Sequence, residues 1–595
     1  MYVSFIRGAA IVWLVFTGQL FALEPAIEID PRVAKAEQER IAAVNRAMPS
    51  TVSVFVPGGG GGGSAVLISP DGFALTNFHV SSPAGTYMRC GLSDGRIYDA
   101  VIVGVDPVGD LAMIKLLGRD DFPFAEMADS LKAQVGQWCM VIGNPFLLNT
   151  NLKPSVSWGI LSGVGRYQYP SGTLLEYADC FQTDATVNPG NSGGPLYDSR
   201  GDVLGIVGRC SFEKRGRVNV GVGYAISIQQ AKNFLGDLHS GRIVDHATLG
   251  ATVATDPEGG VRVSNMLESS DAYRRGLRYG DEILRIDGRS VSTANQVQNI
   301  LATFPAMWRV KLTYRNEDGI VDTLVRLASV HGPDELLEKM ASALPPPPPA
   351  PDKKPDPDED EDADKDAEAK VEEAEESPIP EAVKSLYVAR NGYANYHFNE
   401  VKQKEFTTAL GSQFPGNQAD AKHDQWSLLG KTTGDDPKPV KLFVSDDLFE
   451  LVVGGKTISA ATNNELSDGI TAGNASGVLA CFNAWRKILR DGTDLFGECY
   501  YRGTVPLLGE RPLRDWMIGI SGELETSWLT HPTTKLVEAV EVSADRDDDP
   551  VELLITKRDE ATGRPTAVEV RYGTNVVLAF EIDQWMFAAE QGVAP

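Results

Sequence analysis

Cysteine is scarce in this sequence, six in 595 residues, too few for a fold stapled together by disulfides. Basic side chains are also outnumbered: 55 Lys and Arg face 81 Asp and Glu, a net charge of −26. That balance argues against nucleic acid as a partner. Beyond residue 22 no apolar run reaches the ~20 residues that a membrane-spanning helix needs. No His/Cys cluster has zinc spacing, so no metal is expected. The glycine run 58–63 lacks the strand–Gly–helix context and following Lys-Ser/Thr of a phosphate cradle, and reads as a flexible connector; no cofactor is expected. What remains is ordinary. Hydrophobic residues at 42% and charged residues at 23% suit a soluble protein of three or four domains at ~150 residues each.

Residues 1–22 carry Arg7, an apolar stretch from Ala9 to Phe16, and small or neutral residues ending at Ala22. This is the layout of a secretory signal peptide, which predicts an exported protein of the periplasm or cell envelope, or a secreted one, in which disulfides are permitted. In the segment 23–49, Val33, Ala36, Ile41, Ala42, Val44 and Ala47 recur at roughly helical spacing and predict a helix over Pro31–Met48. Over 50–240 short β runs (TVSVFV, SAVLIS, GFALTN, AVIVGV) are split by Gly, Pro, Asn and Asp, as in an antiparallel barrel or sandwich. A helix at Ile228–Leu238 ends that unit. A second unit, 246–330, brackets two helical patches, SSDAYRRG and TANQVQNILATF, with strands GVRVSN, EILRIDG and RVKLTYR.

Over 331–385 the composition breaks. Pro345–Pro349 is a proline run, and residues 351–376 hold 14 acidic and 4 basic side chains. Such a segment cannot bury enough apolar surface to fold and is extended by its own repulsion, so a Pro-rich acidic linker is expected. The block 386–595 recovers normal hydrophobicity, with Trp426, Trp485, Trp516, Trp528 and Trp585 and alternating runs such as KLFVSD and VELLITK. It predicts a curved antiparallel sheet with a helix near Ala480–Leu489 and its aromatics in the core. No catalytic constellation stands out there; a binding role, with an envelope partner among the candidates, is the expectation.

Chemistry concentrates in PGNSGGPL, Pro189–Leu196. Glycine and proline around one serine describe a tight loop that lets backbone come close to a ligand. With Ser192 as nucleophile, the N–H groups of Gly190 and Ser192 are placed to form an oxyanion hole. A serine needs a base, and of seven histidines only His79, in GFALTNFHV, precedes residue 238. The third group must orient the imidazole. Asp110, in VGDLAMIKL, heads an apolar strand 31 residues after His79; Asp106 is its local rival.

His79 in TNFHV, Asp110 in GDLAMIK and Ser192 in QTDATVNPGNSGGPL, in that order, resemble the HtrA (Deg) family of trypsin-like serine proteases. GSAVLI before the histidine, WGILSGVGR at 158–166 and VGYAIS at 222–227 add to the resemblance, which covers about 45–327. It implies a mainly β fold: a chymotrypsin-like double β-barrel with the site at its seam, followed by an α+β PDZ domain, the acidic linker and the β-rich C-terminal domain. Ser192 would attack the scissile carbonyl, His79 would take and return the proton, and Asp110 would hold the imidazole. Thr186 takes the place where tryptic enzymes carry a buried aspartate, which implies small or medium aliphatic P1 residues, since a buried cation would lack a partner; Arg209, near the strand expected to line this pocket, leaves that open. The segments 143–153, 166–178 and 210–221 match the family's regulatory loops, which order the oxyanion hole when a peptide binds.

LGATV (249–253) and SSDAYRRGLRYGDEILRIDGRSV resemble a PDZ domain. Leu249, Gly250 and Ala251 would receive a peptide carboxylate, and Val253 would line the first side-chain pocket of a C-terminus added as a strand. Only one such domain is expected, because GD-x-I-x-x-I-x-G does not recur after 330. Relatives form trimers through N-terminal contacts, although the helix at 31–48 lacks aromatic anchors. Cys180 and Cys210 flank the Ser192 loop and are open to bridging or to staying free; Cys481–Cys499 is the most local pairing. The expected function is an exported serine endopeptidase of misfolded or unfolded envelope proteins, with PDZ-mediated peptide recognition. The alternative is a proteolytically weak or inactive chaperone or binding scaffold acting through the PDZ and C-terminal domains.

Overall fold

A computed structural model describes residues 30–57, 61–145, 151–168, 174–212, 219–343, 378–410, 413, 422–460, 476–522, 524–545 and 548–588. The signal-peptide expectation, the proline run, nearly all of the acidic linker and parts of the three loops lie outside the described residues, as do the side chains of Arg209 and Cys210.

Six strands (Thr51–Phe55, Gly62–Leu67, Phe73–Thr76, Tyr87–Gly91, Ile97–Asp106 and Leu111–Leu116) close into a barrel in the order one, two, three, six, five, four. Six more (Trp138–Gly143, Ser155–Gln168, Tyr177–Thr183, Pro195–Asp198, Val203–Phe212 and Asn219–Ser227) close a second, in the order four, five, six, three, two, one. The two-residue period of a strand divides the apolar residues between three cores. Ala65 and Leu67 lie inside the first barrel, Cys139 and Val141 inside the second. The alternate residues Val66, Leu75, Met140 and Ile142 share a core at the seam. Each such aliphatic side chain removed from water contributes roughly 1.5–3 kcal/mol, so the seam is a rigid wall on which loops can be aimed.

The chain then forms a five-strand path, Ala251–Thr255, Val261–Met266, Glu282–Ile286, Arg309–Asn316 and Gly319–Arg326, paired in that order, with the helix Ala294–Leu301. After 422 comes an eleven-stranded antiparallel sheet in which the first strand, Gln425–Thr432, pairs with the last, Asn575–Ala588. The helix Ser476–Asp491 lies in this unit's core, its own Trp485 fully buried with Trp426 and Trp528.

The sheet grips both preceding units. The helix Ile228–His239 crosses the strand Glu498–Leu507 so closely that a Cβ on Gly236 would lie 2.2 Å from Thr504 Oγ1. Leu312, Val325 and Leu327 share a core with Val505, Trp516, Ile518 and Leu529. Around that core Arg309 Nη1 donates to Glu552 Oε2 at 2.7 Å and Arg326 Nη2 to Glu541 Oε2 at 2.8 Å.

Several elements differ from expectation. The first helix is Pro31–Ala47, capped by the Asp30 carboxylate on Arg32 N at 2.8 Å, and it leaves Val33 and Ile41 exposed while docking through Ala43 and Ala47. A helix, Pro333–Ala343, occupies the start of the stretch read as linker, because DELLEKMASA is made of good helix formers and precedes the prolines. SSDAYRRG supplies only the single turn Asp271–Arg274. Cys180, Cys481 and Cys499 are free; the buried Cys481 Sγ faces the carbonyls of Val540 and Val551 across the sheet instead of reaching Cys499.

Candidate active site

The strand Phe73–Thr76 stops short of His79, which sits on the helical turn Phe78–Ser81 that follows. Asp110 immediately precedes the strand Leu111–Leu116 in a left-handed conformation, φ 59°, one that aspartate tolerates better than most residues. The Asp110 carbonyl receives Asn77 Nδ2 at 2.9 Å and Phe78 N at 3.3 Å. Its carboxylate, fully buried, receives His79 N at 3.1 Å and His79 Nδ1 at 2.8–3.0 Å. The imidazole is thereby fixed through Nδ1, no hydrogen bond engages Nε2 among the described residues, and the side chain is 40% exposed. Partial burial acts to lower its pKa, but the charge and hydrogen bond of Asp110 prevail and leave it above the ordinary 6.5. The rival Asp106 is engaged elsewhere, with His246 Nε2 at 2.9 Å.

Ser192 lies in the loop between Thr183 and Pro195. Its carbonyl accepts from Ser64 N at 2.8 Å and its Oγ donates to Gly208 O at 3.2 Å. The next residue, Gly193 (φ 81°), presses on Ser64 O and Thr76 Oγ1 and reaches Asn77 N, two residues before His79; a Cβ there would lie 3.1 Å from that nitrogen. Serine and histidine loops are thus packed together, although no hydrogen bond joins Ser192 to His79 among the described residues. Asn188–Asn191 is a turn closed by Asn191 N on Asn188 O at 2.9 Å, and Gly190 has φ 100°. Positive φ at the third residue marks a type II turn, which needs glycine there. The Gly190 carbonyl is pinned by Ser64 Oγ at 2.7 Å. Among the described residues, the N–H groups of Gly190 and Ser192 donate to no protein acceptor.

Thr186 is exposed, its carbonyl accepting from Asn191 Nδ2 at 3.5 Å, while its buried neighbour Val187 packs on Gly223. In the following unit Leu249 is buried, Gly250 has φ 69° and its carbonyl receives Leu267 N at 2.8 Å. Ala251 and Val253, half-buried, lie on Ala251–Thr255, the end strand of its sheet, beside the helix Ala294–Leu301. That helix also touches the first unit. Asn299 Oδ1 accepts from Asp179 N at 2.6 Å, and Asn299 Nδ2 donates to Gly165 O at 3.1 Å. Gln298 Nε2 reaches Glu176 Oε1 at 3.3 Å and Arg289 pairs with Asp179 at 3.4 Å.

Residues 63–206 match the model of the trypsin-like peptidase domain, and 240–315 that of the PDZ domain. Among curated proteins, the chain is 33% identical over 290 residues to the putative serine protease HhoA of Synechocystis sp., covering 45% of this chain and 71% of that one. The chain belongs to the HtrA/Deg family of serine proteases. It is 32% identical over 287 residues to a probable periplasmic serine endoprotease DegP-like of Chlamydia muridarum, covering 46% of this chain. It spans only about half, 56%, of that relative's length. Among solved structures it is similar to the HtrA-type protease AlgW with tripeptide, at 31% identity and TM-score 0.41, covering 50% of this chain and 98% of that one. The strands from Gln425 onward lie beyond both family models that match this HtrA chain.

Motif reading missed two groups at this site. One is Tyr177, whose hydroxyl donates to Asp110 Oδ2; its trace in the sequence is a tyrosine opening the strand YADCFQT. The other is the set Arg289, Gln298 and Asn299, polar residues outside the peptide-binding motif whose partners lie more than a hundred residues away.

Proposed function

We propose that this chain is an exported serine endopeptidase in which Ser192 is the nucleophile, His79 the general base and Asp110 the group that orients and charge-stabilises the imidazole. The observation that carries the reading is the buried Asp110 carboxylate holding His79 Nδ1 at 2.8 Å while Ser192 lies on the loop packed against the histidine turn. As the hydroxyl attacks a carbonyl carbon, its proton passes to His79 Nε2, and the imidazolium formed faces a carboxylate that is already in place. The oxyanion is received by the free amides of Gly190 and Ser192, each such donor contributing roughly 2.7–4 kcal/mol of barrier lowering. His79 then returns the proton to the leaving amine, and water repeats the sequence on the acyl-enzyme.

Unfolded or misfolded envelope proteins are the substrates, in the periplasm where the DegP-like relatives are named. Small or medium aliphatic P1 side chains are favoured, with the buried Val187, packed on Gly223, beside the exposed Thr186. The PDZ unit takes C-terminal peptides at Leu249, Gly250, Ala251 and Val253. The contacts of Asn299, Gln298 and Arg289 with 165–179 support a route from that unit to the catalytic loops. The protease spans 50–240, the PDZ domain 246–330 and the C-terminal domain 386–595, and a trimer is the expected assembly. The test is hydrolysis of unfolded casein alongside labelling by a fluorophosphonate, which reacts only with an activated serine. Wild type should do both and Ser192→Ala neither, with activity down by at least about 10⁴-fold. Unchanged cleavage by Ser192→Ala would falsify the assignment.

A further inference from the structure

We propose that Tyr177 is the positioning residue for the catalytic carboxylate: its hydroxyl holds Asp110 Oδ2 so that His79 stays aimed at Ser192, and glycine at 208 exists to admit its ring. The inference rests on the triad reading above and extends it by one residue. Asp110 is wholly inside the protein, and a carboxylate there has to fill its lone pairs with donors. His79 supplies its backbone N–H to Oδ1 and its Nδ1 to both oxygens. The remaining donor is Tyr177 O–H, on Oδ2. Without it, Oδ2 would be held only by the imidazole it is meant to steady, and rotation of the carboxylate about its own axis would carry the histidine with it.

The surroundings of Tyr177 are fitted to this task. Its side chain is 3% exposed and shares the seam core with Met113 and Ile206. The residue before it donates its N–H to Val108 O at 2.8 Å, tying the strand start to the segment leading into Asp110. On the far side, a Cβ at Gly208 would lie 2.6 Å from Tyr177 Cε1 and 3.2 Å from its oxygen. Gly208 is not among the positive-φ residues, so space and not backbone angle requires the glycine. The carbonyl of that same Gly208 accepts Ser192 Oγ. One tyrosine ring therefore touches the strand that holds the serine and bonds the acid that holds the histidine.

The experiment is Tyr177→Phe in the full chain, assayed on labelled casein for kcat, KM and the pH dependence of kcat/KM. The titratable groups interacting with the Asp110 carboxylate are His79, Tyr177 and the buried thiol of Cys180. Losing a hydrogen bond to a buried charge predicts a fall in kcat of roughly ten- to a hundredfold with KM almost unmoved. It also leaves more negative charge on Asp110, which favours the imidazolium and moves the acid limb to higher pH; loss of packing alone would not move it. In Tyr177→Ala, adding Gly208→Ser returns a hydroxyl to within reach of Oδ2 and should recover about tenfold in kcat, one hydrogen bond's worth. A Tyr177→Phe enzyme matching wild type in kcat and acid limb overturns the inference while leaving the triad intact. A wild type inert to both casein and fluorophosphonate overturns the triad reading itself.

Discussion

Three Asp–His pairs form among the described residues, and two of them, with aspartates four residues apart at the two ends of one turn, stand in different surroundings. Asp110 holds Nδ1 of a His79 side chain that is partly exposed. Asp106 and His246 are 0% and 1% exposed, with the Phe234 ring tilted against the imidazole at 4.7 Å between centroids, and they join the first unit to the segment leading into the PDZ domain. Asp106 also receives the N–H groups of Val108 and Gly109 at 3.1 and 2.8 Å. Both aspartates engage an imidazole nitrogen; on the proposed reading, solvent access and the serine loop packed against the histidine turn are what fit one pair for catalysis and leave the other a structural role.

The comparison can be broken most sharply at the aspartates. Asp110→Asn should cut kcat about 10⁴-fold, by turning the imidazole to the wrong tautomer, with the melting curve little changed. Asp106→Asn should act in reverse: casein cleavage per folded molecule is retained, while urea unfolding shows a loss of roughly 3–5 kcal/mol from an unpaired buried imidazole. Equal effects of the two substitutions on kcat would erase the distinction.

Titration sharpens it next. Burial lowers the pKa of His246, but Asp106 first, with Glu176 and Asp245 behind it, leaves it raised above 6.5. A raised folded value means that its stabilisation is complete below pH 6.5 and is lost as pH climbs through that higher value. His79 is raised as well, and catalysis needs it neutral, so activity should increase over the range where stability declines. Melting and casein assays across the same buffers would reveal these opposite slopes; parallel ones would contradict the pairing of roles. The smallest effect belongs to Asn299→Ala. Removing its two bonds to 165–179 should lower casein turnover by about two- to tenfold, with the unfolding midpoint of the chain nearly unchanged.

Chemistry carried by local loops was legible in the sequence. PGNSGGPL announces a backbone that must approach a ligand, and a single histidine in its unit leaves little choice of base. The choice of Asp110 over Asp106 rested on the apolar run after it, and the fold supplies the fuller reason, since Asp106 is consumed by a histidine 140 residues away. Tyr177 and Gly208 could not be read as a pair, because each is an ordinary strand residue until the barrel closes and brings them into contact. Alternation identified the C-terminal sheet as a sheet. The pairing of Gln425–Thr432 with Asn575–Ala588 escaped notice, because a strand's pattern tells which face is buried and not which distant strand lies beside it. Thr186 was assigned by spacing alone, and spacing does not say that the position is exposed.

The hold of Glu541 and Glu552 on Arg309 and Arg326 has a consequence for how news of a captured peptide could travel. A tethered module that swings can report occupancy by where it stands. This one is bolted at its back to an eleven-stranded plate that also clasps the protease helix, so on the proposed reading its report would be whispered through small shifts of the side chains at its front.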